Sequence, residues 1–270
     1  MIVMKNNISD LEKDEAPLIL LGVGIIKVFY IDLKSKFEIL FQKGIGLPLI
    51  QNLMELYIND ILLKKQGNSI LPANDFTIFM HYFQNKDDII VILLMDEKKN
   101  SLSYPKIYNL TKEIRNSFRL NNFLFEIKNN FNDKVLIPKS EDVIAIFILG
   151  ISGIPYITKV SQTKTSMGKL ESYIGGFISA ISSFSKEIIG IDSGAELKEI
   201  NFGNQLIYMI TKEKVIFAFL VEKLNSLTKR YMYLIVDEFL ESFNNDIINF
   251  DGNICRFNDF ENRINQYFIL

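Results

Sequence analysis

The predicted order of strands and helices occurs twice along this chain. Runs rich in β-branched and aromatic residues are typical of strands, whereas apolar residues spaced three and four apart indicate helices. On these criteria each half contains two strands, a helix, three strands and a closing helix. The copies are offset by roughly 120 residues, a spacing that favours a duplicated module over a short solenoid repeat. We therefore expect an α+β protein made of two similar modules in tandem.

The first copy is predicted to consist of a hairpin, a helix, a three-stranded meander and a second helix. Its strands are expected at 25–31, 37–41, 69–71, 76–83 and 89–95, with a helix at 49–65 between the second and third. The closing helix should begin after Ser103, because Pro105 is tolerated in a first helical turn. Its apolar face consists of Ile107, Leu110, Ile114 and Phe118.

The second copy follows the same order. Strands are expected at 143–149, 156–160, 197–202, 205–211 and 215–221, with a helix at 170–184. Gly203-Asn204 is a hairpin signal between the third and fourth of these strands. The closing helix should turn Leu227, Leu234, Ile235, Phe239 and Phe243 inward. The tail from 245 should end in one more amphipathic helix, with Phe257, Phe260, Ile264 and Phe268 on one face.

Domain boundaries follow from shifts in composition. Residues 1–15 are polar and are predicted to form a loose tail, and 16–130 form the first module. Residues 131–141 are predicted to be a linker, since the only interior shift toward Asn, Lys and Pro is found at 120–140. Residues 142–270 form the second module with a C-terminal helical extension.

This order of elements resembles the longin fold, a five-stranded antiparallel sheet with flanking helices. The likeness is clearest over 144–243, with Gly153-Ile154-Pro155 at the hairpin, and the first half resembles the fold in order only. The resemblance implies a small-GTPase regulator, as an exchange-factor subunit or scaffold in membrane trafficking or signalling. It also implies pairing with another longin-like or roadblock-like chain, or with a second copy as a dimer.

The amino-acid composition and net charge limit the classes of partner that we expect for this chain. The chain has 270 residues, 48% of them apolar and 23% charged, which is a globular composition with enough material for two cores. A net charge of −2 gives no basic excess for nucleic acid, so no nucleic-acid partner is expected. One cysteine, no secretory signal and no run of about 20 apolar residues predict a cytoplasmic protein with at most peripheral membrane contact.

The residues that could act in catalysis or metal binding lack the partner residues that such sites usually require. His81 is the only histidine and Cys255 the only cysteine, so the usual zinc sites and a Ser-His-Asp arrangement are not expected. His81 is interpreted as a structural or surface residue and Cys255 as a small buried hydrophobe. The carboxylates of Asp87-Asp88 and Asp96-Glu97 are expected in solvated turns. We predict a non-enzymatic protein with no cofactor and no metal.

Two glycine-containing segments have part of the pattern of a nucleotide-binding loop. Gly22-Val23-Gly24 lacks the third glycine of a dinucleotide-binding turn and precedes a strand instead of a helix. In the segment around Gly168-Lys169, Thr163 stands where a phosphate loop needs glycine, and Leu170 stands where it needs Ser or Thr. Neither segment is therefore predicted to bind phosphate.

The helix predicted at 170–184 carries small residues beside its apolar face. The candidate partner interface consists of Gly175, Gly176, Ser179, Ala180 and Ser183. Glycine costs roughly 1 kcal/mol in a helix interior, so a close backbone approach by a partner would explain two in succession. This face could equally pack on its own sheet or on the other module. Alternative functions are a structural adaptor without effect on nucleotide exchange, or a small-ligand sensor.

Overall fold

In a computed structural model, the chain divides into two compact units, which are described separately. The structure describes residues 17–32, 34–73, 75–98, 103–120, 129, 134–161, 175–181, 183–184 and 197–270. Unit 1 takes in Met1–Lys43 and Leu53–Ile137, and unit 2 takes in Gly44–Asn52 and Pro138–Leu270. The boundary after Ile137 falls within the predicted linker. The predicted tail and residues 162–174, including Gly168-Lys169, lie outside the described residues.

Unit 1 is built on a five-stranded antiparallel sheet. Its elements are β1 (Leu18–Ile19), β2 (Gly22–Ile31), β3 (Lys34–Lys43), β4 (Gly67–Ala73), β5 (Phe76–Asn85), β6 (Asp88–Glu97), α2 (Tyr104–Arg119) and β7 (Val135–Leu136). Helix α1 (Leu47–Lys64) connects β3 to β4, and the division between the units falls within it. The strand order is β3-β2-β6-β5-β4, while β1 and β7 form a separate parallel pair.

The core of unit 1 is centred on β6. Every residue from Ile89 to Met95 is buried, so this central strand reads as a continuous apolar run, as expected where both faces of a sheet are covered. On one face, Phe118 of α2 packs edge-on against Phe83 of β5 with ring centroids 6.1 Å apart. The predicted helical face of α2 is confirmed at Ile107, Leu110 and Ile114, which are all buried.

Unit 2 repeats this architecture. Its elements are β8 (Val143–Gly150), β9 (Pro155–Val160), β10 (Glu199–Asn201), β11 (Leu206–Lys212), β12 (Val215–Val221), α3 (Ser226–Ile248), a 3-10 helix η1 (Ile254–Phe260) and α4 (Glu261–Tyr267). Between β9 and β10, residues 175–181, 183 and 184 are helical, and these are called the small-residue helix. The strand order is β9-β8-β12-β11-β10, again antiparallel throughout.

The two sheets therefore share one strand order. In each, the first and last strands of the five lie side by side at the centre, and the hairpin partner and the meander flank them. The central strands β8 and β12 are buried along their whole length because helices cover both faces. The α+β prediction with two five-stranded antiparallel sheets is confirmed.

The two faces of the second sheet have distinct cores. One face contacts the small-residue helix through a buried cluster: Ile144, Ala145, Phe147, Leu149, Ile178, Ile207, Met209, Ile216, Ala218 and Leu220. On the other face, Phe217 packs edge-on against Phe239 of α3 at 5.6 Å, and Phe219 lies 6.4 Å from Phe268. Alternation along β12 explains the division, since successive strand side chains point to opposite faces.

The C-terminal extension packs onto this second face. Phe257, Phe260, Ile264 and Phe268 are all buried, as predicted for one amphipathic face. The extension begins as a 3-10 helix, however, and becomes an α-helix only at Glu261. Phe257 and Phe260 are three residues apart, which places them on one side of a helix with three residues per turn. Phe260 and Ile264 are four apart, which suits the α-helix that follows.

Candidate functional site

The small-residue helix is anchored to its own sheet by one side. Ile178 is fully buried in the core cluster, and Gly175, one turn earlier, is buried as well. A Cβ atom added at Gly175 would lie 3.5 Å from Leu149 Cδ2. That is ordinary contact distance, so the helix backbone already lies close to β8. Gly175 thus belongs to the packing within unit 2.

The next position on the same side contacts the β8–β9 turn. Ser179 Oγ donates a hydrogen bond to the carbonyl oxygen of Ile151 over 3.1 Å. Gly153 in that turn has a φ of +86°, and a Cβ atom there would lie 3.0 Å from Ser179 Cβ. Both glycine's conformational freedom and its lack of a side chain are needed at this position. Ser179 therefore also packs inside unit 2, as the alternative interpretation of the sequence allowed.

The remaining three predicted interface residues face outward. Gly176, Ala180 and Ser183 are exposed, and their spacing of four and three residues places them along one side of the helix. A Cβ atom added at Gly176 would meet no atom of the described residues within 4 Å. The small side chains at these positions are thus not required by the packing of unit 2 that the structure describes.

Two exposed aromatic residues continue this outward side. Phe177 is 45% and Phe184 61% exposed, and they lie seven residues apart on the same helix. Successive residues of an α-helix are rotated by 100°, and this rotation separates both phenylalanines from the buried Ile178. That rotation was the signal in the sequence that could have found them. We call Gly176, Phe177, Ala180, Ser183 and Phe184 the outer strip.

The composition of the outer strip suits contact with another macromolecule. It presents no charged side chain, two large aromatic side chains and three small ones. Aromatic residues are enriched at protein interfaces, and depletion of charge marks their centres. Small residues let a second backbone approach closely. The chemistry available to the strip is therefore shape-based apolar recognition.

His81 lies in the sheet of unit 1, on the face that α2 covers. Its Nδ1 donates to Asn68 Oδ1 on the neighbouring strand β4, and its ring lies 5.8 Å from that of Phe83. Burial lowers the pKa of His81, and the positive charge of Arg115 lowers it further. The neutral imidazole is thus favoured by its surroundings.

Two interpretations of the sequence are wrong. Cys255 is exposed and not buried. Because η1 turns Phe257 and Phe260 inward, the first residues of that helix are left on the outside. Asp96 is buried and not solvated: it lies at the end of central strand β6, where its carboxylate accepts a hydrogen bond from the backbone N–H of Glu97 over 2.8 Å.

Within the described ranges, no three His, Cys, Asp or Glu side chains are grouped so that they could hold a metal ion. No helix in that part of the chain is both long enough and apolar enough to cross a membrane.

Fold and surface together define an α+β protein with two five-stranded antiparallel sheets of the same strand order and an exposed, uncharged helix surface. Comparison with protein-family models finds no match, and comparison with curated protein sequences finds none either.

Proposed function

We propose that this chain is a non-enzymatic protein-binding protein that regulates a small GTPase, as an exchange-factor subunit or scaffold. The proposal rests on the resemblance of the predicted order of strands and helices to the longin fold, and it is supported by the five-stranded antiparallel sheet in each unit. Within unit 2, the sheet and the helix packed on it would hold a binding surface in place. The setting would be membrane trafficking or signalling in the cytoplasm, with any membrane contact peripheral.

The observation that carries the proposal is the outer strip. Gly176 costs helix stability, roughly 1 kcal/mol relative to alanine, and nothing in the described packing requires its missing side chain. Phe177 and Phe184 expose apolar surface next to it. A partner whose backbone lies against Gly176 and Ala180 and whose pockets take the two rings would account for both features.

The mechanism would be a shift in populations. If the chain binds the nucleotide-free GTPase more tightly than the loaded form, linkage requires that it weaken nucleotide binding by the same factor. Couplings of this kind are typically about 5-fold to 150-fold. A chain that binds both forms equally shifts nothing, however tightly it binds.

The experiment measures binding of the full chain to a panel of purified small GTPases, each in nucleotide-free and loaded states. We expect at least one to bind its nucleotide-free state more than about fivefold more tightly. Equal affinity for the two states would reject exchange activity and leave a structural adaptor. No binding across the panel would reject the GTPase proposal.

A substitution in the outer strip tests where the partner binds. Gly176→Leu places a bulky side chain in open space, so the fold has room for it while a close backbone approach is blocked. Ser242→Leu, on an exposed position of α3, is the matched control. We expect Gly176→Leu alone to abolish binding, and loss of self-association in light scattering would identify a dimer contact instead. If both variants bind and assemble like the parent chain, the outer strip is not the interface.

A further inference from the structure

A second surface of unit 2 is a groove of about 420 Å³. It is lined from three directions: the start of α1, the turn between β11 and β12, and the C-terminal half of α3. Leu47, Pro48 and Leu240 supply its apolar lining. Its volume lies within the range of about 300–1,000 Å³ that is usual for ligand-binding clefts. No residue of the outer strip lines it.

The charged side chains of the groove are mainly acidic. Lys212, Glu213, Asp237 and Glu241 line it, one cation and three carboxylates, which gives a formal charge of −2. Lys212 Nζ is already paired with Asp237 Oδ1 at 2.9 Å, so the excess negative charge lies with the two glutamates. Burial raises the pKa of Glu241, and the nearby carboxylates of Glu238 and Asp237 raise it further. The carboxylates at this end of α3 repel one another.

The N-terminus of α1 lines the same groove as these carboxylates. The positive end of its dipole offsets only part of their negative charge. Helix α1 has no acidic residue in its own first turn. Negative charge near the N-terminus of a helix is stabilising. The positive end of a helix dipole amounts to about half an elementary charge. That is well below the formal charge of −2, and the groove therefore remains negative.

We propose that this groove docks a basic segment of a partner protein, in which a lysine or arginine stands next to an apolar residue. The glutamates attract the cationic head group, and the apolar lining suits both the aliphatic stem of that side chain and its apolar neighbour. A groove of this charge repels phosphate groups. The carboxylates are also spread out, since no three acidic, His or Cys side chains of the described residues converge as a metal ion requires.

The test uses a fluorescein-labelled hexapeptide of alternating lysine and leucine and follows its fluorescence anisotropy with the full chain. Glu213→Gln combined with Glu241→Gln removes two groove charges. The matched control, Glu55→Gln combined with Asp259→Asn, removes two exposed charges that do not line the groove. We expect saturable, salt-sensitive binding that weakens about fivefold in the groove variant and stays unchanged in the control.

Several results would overturn the proposal. One is the absence of saturable binding, and another is an equal loss of affinity in both double variants, which would indicate attraction to the overall charge. A lysine–serine hexapeptide that binds as tightly, or spermine that displaces the peptide at equal charge concentration, would show that the apolar lining is not used. Because the groove and the outer strip share no residue, either proposal can fail without the other.

Discussion

Gly46 and Leu234 approach each other so closely that a side chain at position 46 would have to displace the end of the Leu234 side chain. A Cβ atom added at Gly46 would lie 2.5 Å from Leu234 Cδ2, which is well inside van der Waals contact. Gly46 also has a φ of +88°, in the region that favours glycine. The lack of a side chain at Gly46 thus allows the backbone before α1 to lie close to Leu234 of α3.

Gly46→Ala should therefore be destabilising. The substitution combines a backbone conformation that costs an L-residue roughly 1–2 kcal/mol with overpacking that costs roughly 1–3 kcal/mol. Gly203→Ala is the matched control, because Gly203 has the same φ of +88° but open space around it. Chemical denaturation should show a clearly larger loss for Gly46→Ala, and equal losses would mean that the contact with Leu234 relaxes without cost.

Two adjacent glycines should respond in opposite ways to the same substitution. Gly175→Leu drives a side chain toward Leu149 and the turn at Gly153, so we expect a loss of roughly 1–3 kcal/mol. Gly176→Leu enters open space and gains up to roughly 1 kcal/mol of helix propensity. Thermal and chemical denaturation of the two variants measure this difference. A large loss at Gly176 would show that its surroundings are filled in solution.

His81 should make stability depend on pH just below neutrality. Its pKa in the folded chain is lowered below 6.5, so the unfolded chain takes up the proton first as the pH falls. The free energy of unfolding should therefore decrease as the pH drops through 6.5 and level off below the folded pKa. His81→Gln removes the only histidine, and this part of the dependence should vanish in urea titrations. An unchanged profile would assign it to another group.

Arg230 should hold the stretch that precedes α1. Its Nη2 donates to the carbonyl oxygens of Gly44 at 2.5 Å and Ile45 at 3.1 Å, and burial lowers its pKa to about 10. Arg230→Met removes these donors and should cost roughly 1–3 kcal/mol. Amide exchange over residues 47–52 should become faster. Lys229→Met, an exposed neighbour on α3, is the control, and similar exchange in both variants would contradict this role.

Cys255 should react in the folded protein. Because its side chain is exposed, a thiol reagent should modify one cysteine per chain in the absence of denaturant. Modification should also leave the melting temperature almost unchanged, since Phe257 and Phe260 carry the packing of η1. A thiol that reacts only after unfolding would indicate that Cys255 is covered in solution.

Local residue patterns predicted the strands and helices better than they predicted the burial of residues at the ends of those elements. The apolar spacing in α2 and in the C-terminal extension predicted which side chains are buried, because helical periodicity is a property of neighbouring residues. Asp96 and Cys255 were assigned the wrong environment. Whether an end residue of a strand or helix is covered depends on elements distant in the chain, which periodicity does not report.

The burial of the predicted small-residue interface could likewise not be derived from the sequence pattern. The sequence marked Gly175, Gly176, Ser179, Ala180 and Ser183 as one small-residue face, yet the structure divides them. Gly175 and Ser179 contact β8 and the turn at Gly153, whereas the other three face outward with two phenylalanines. The side of the helix that packs on the sheet determines which of the small residues are buried and which are exposed.

Two copies of one order of strands and helices could be predicted from the residue order alone, because the side-chain periods of two and about 3.6 are local properties of the chain. The pairing of the first and last strands at the centre of each sheet, and the grouping of Gly44–Asn52 with unit 2, became visible only in the folded chain. Both features depend on hydrogen bonds and packing between residues far apart in the chain.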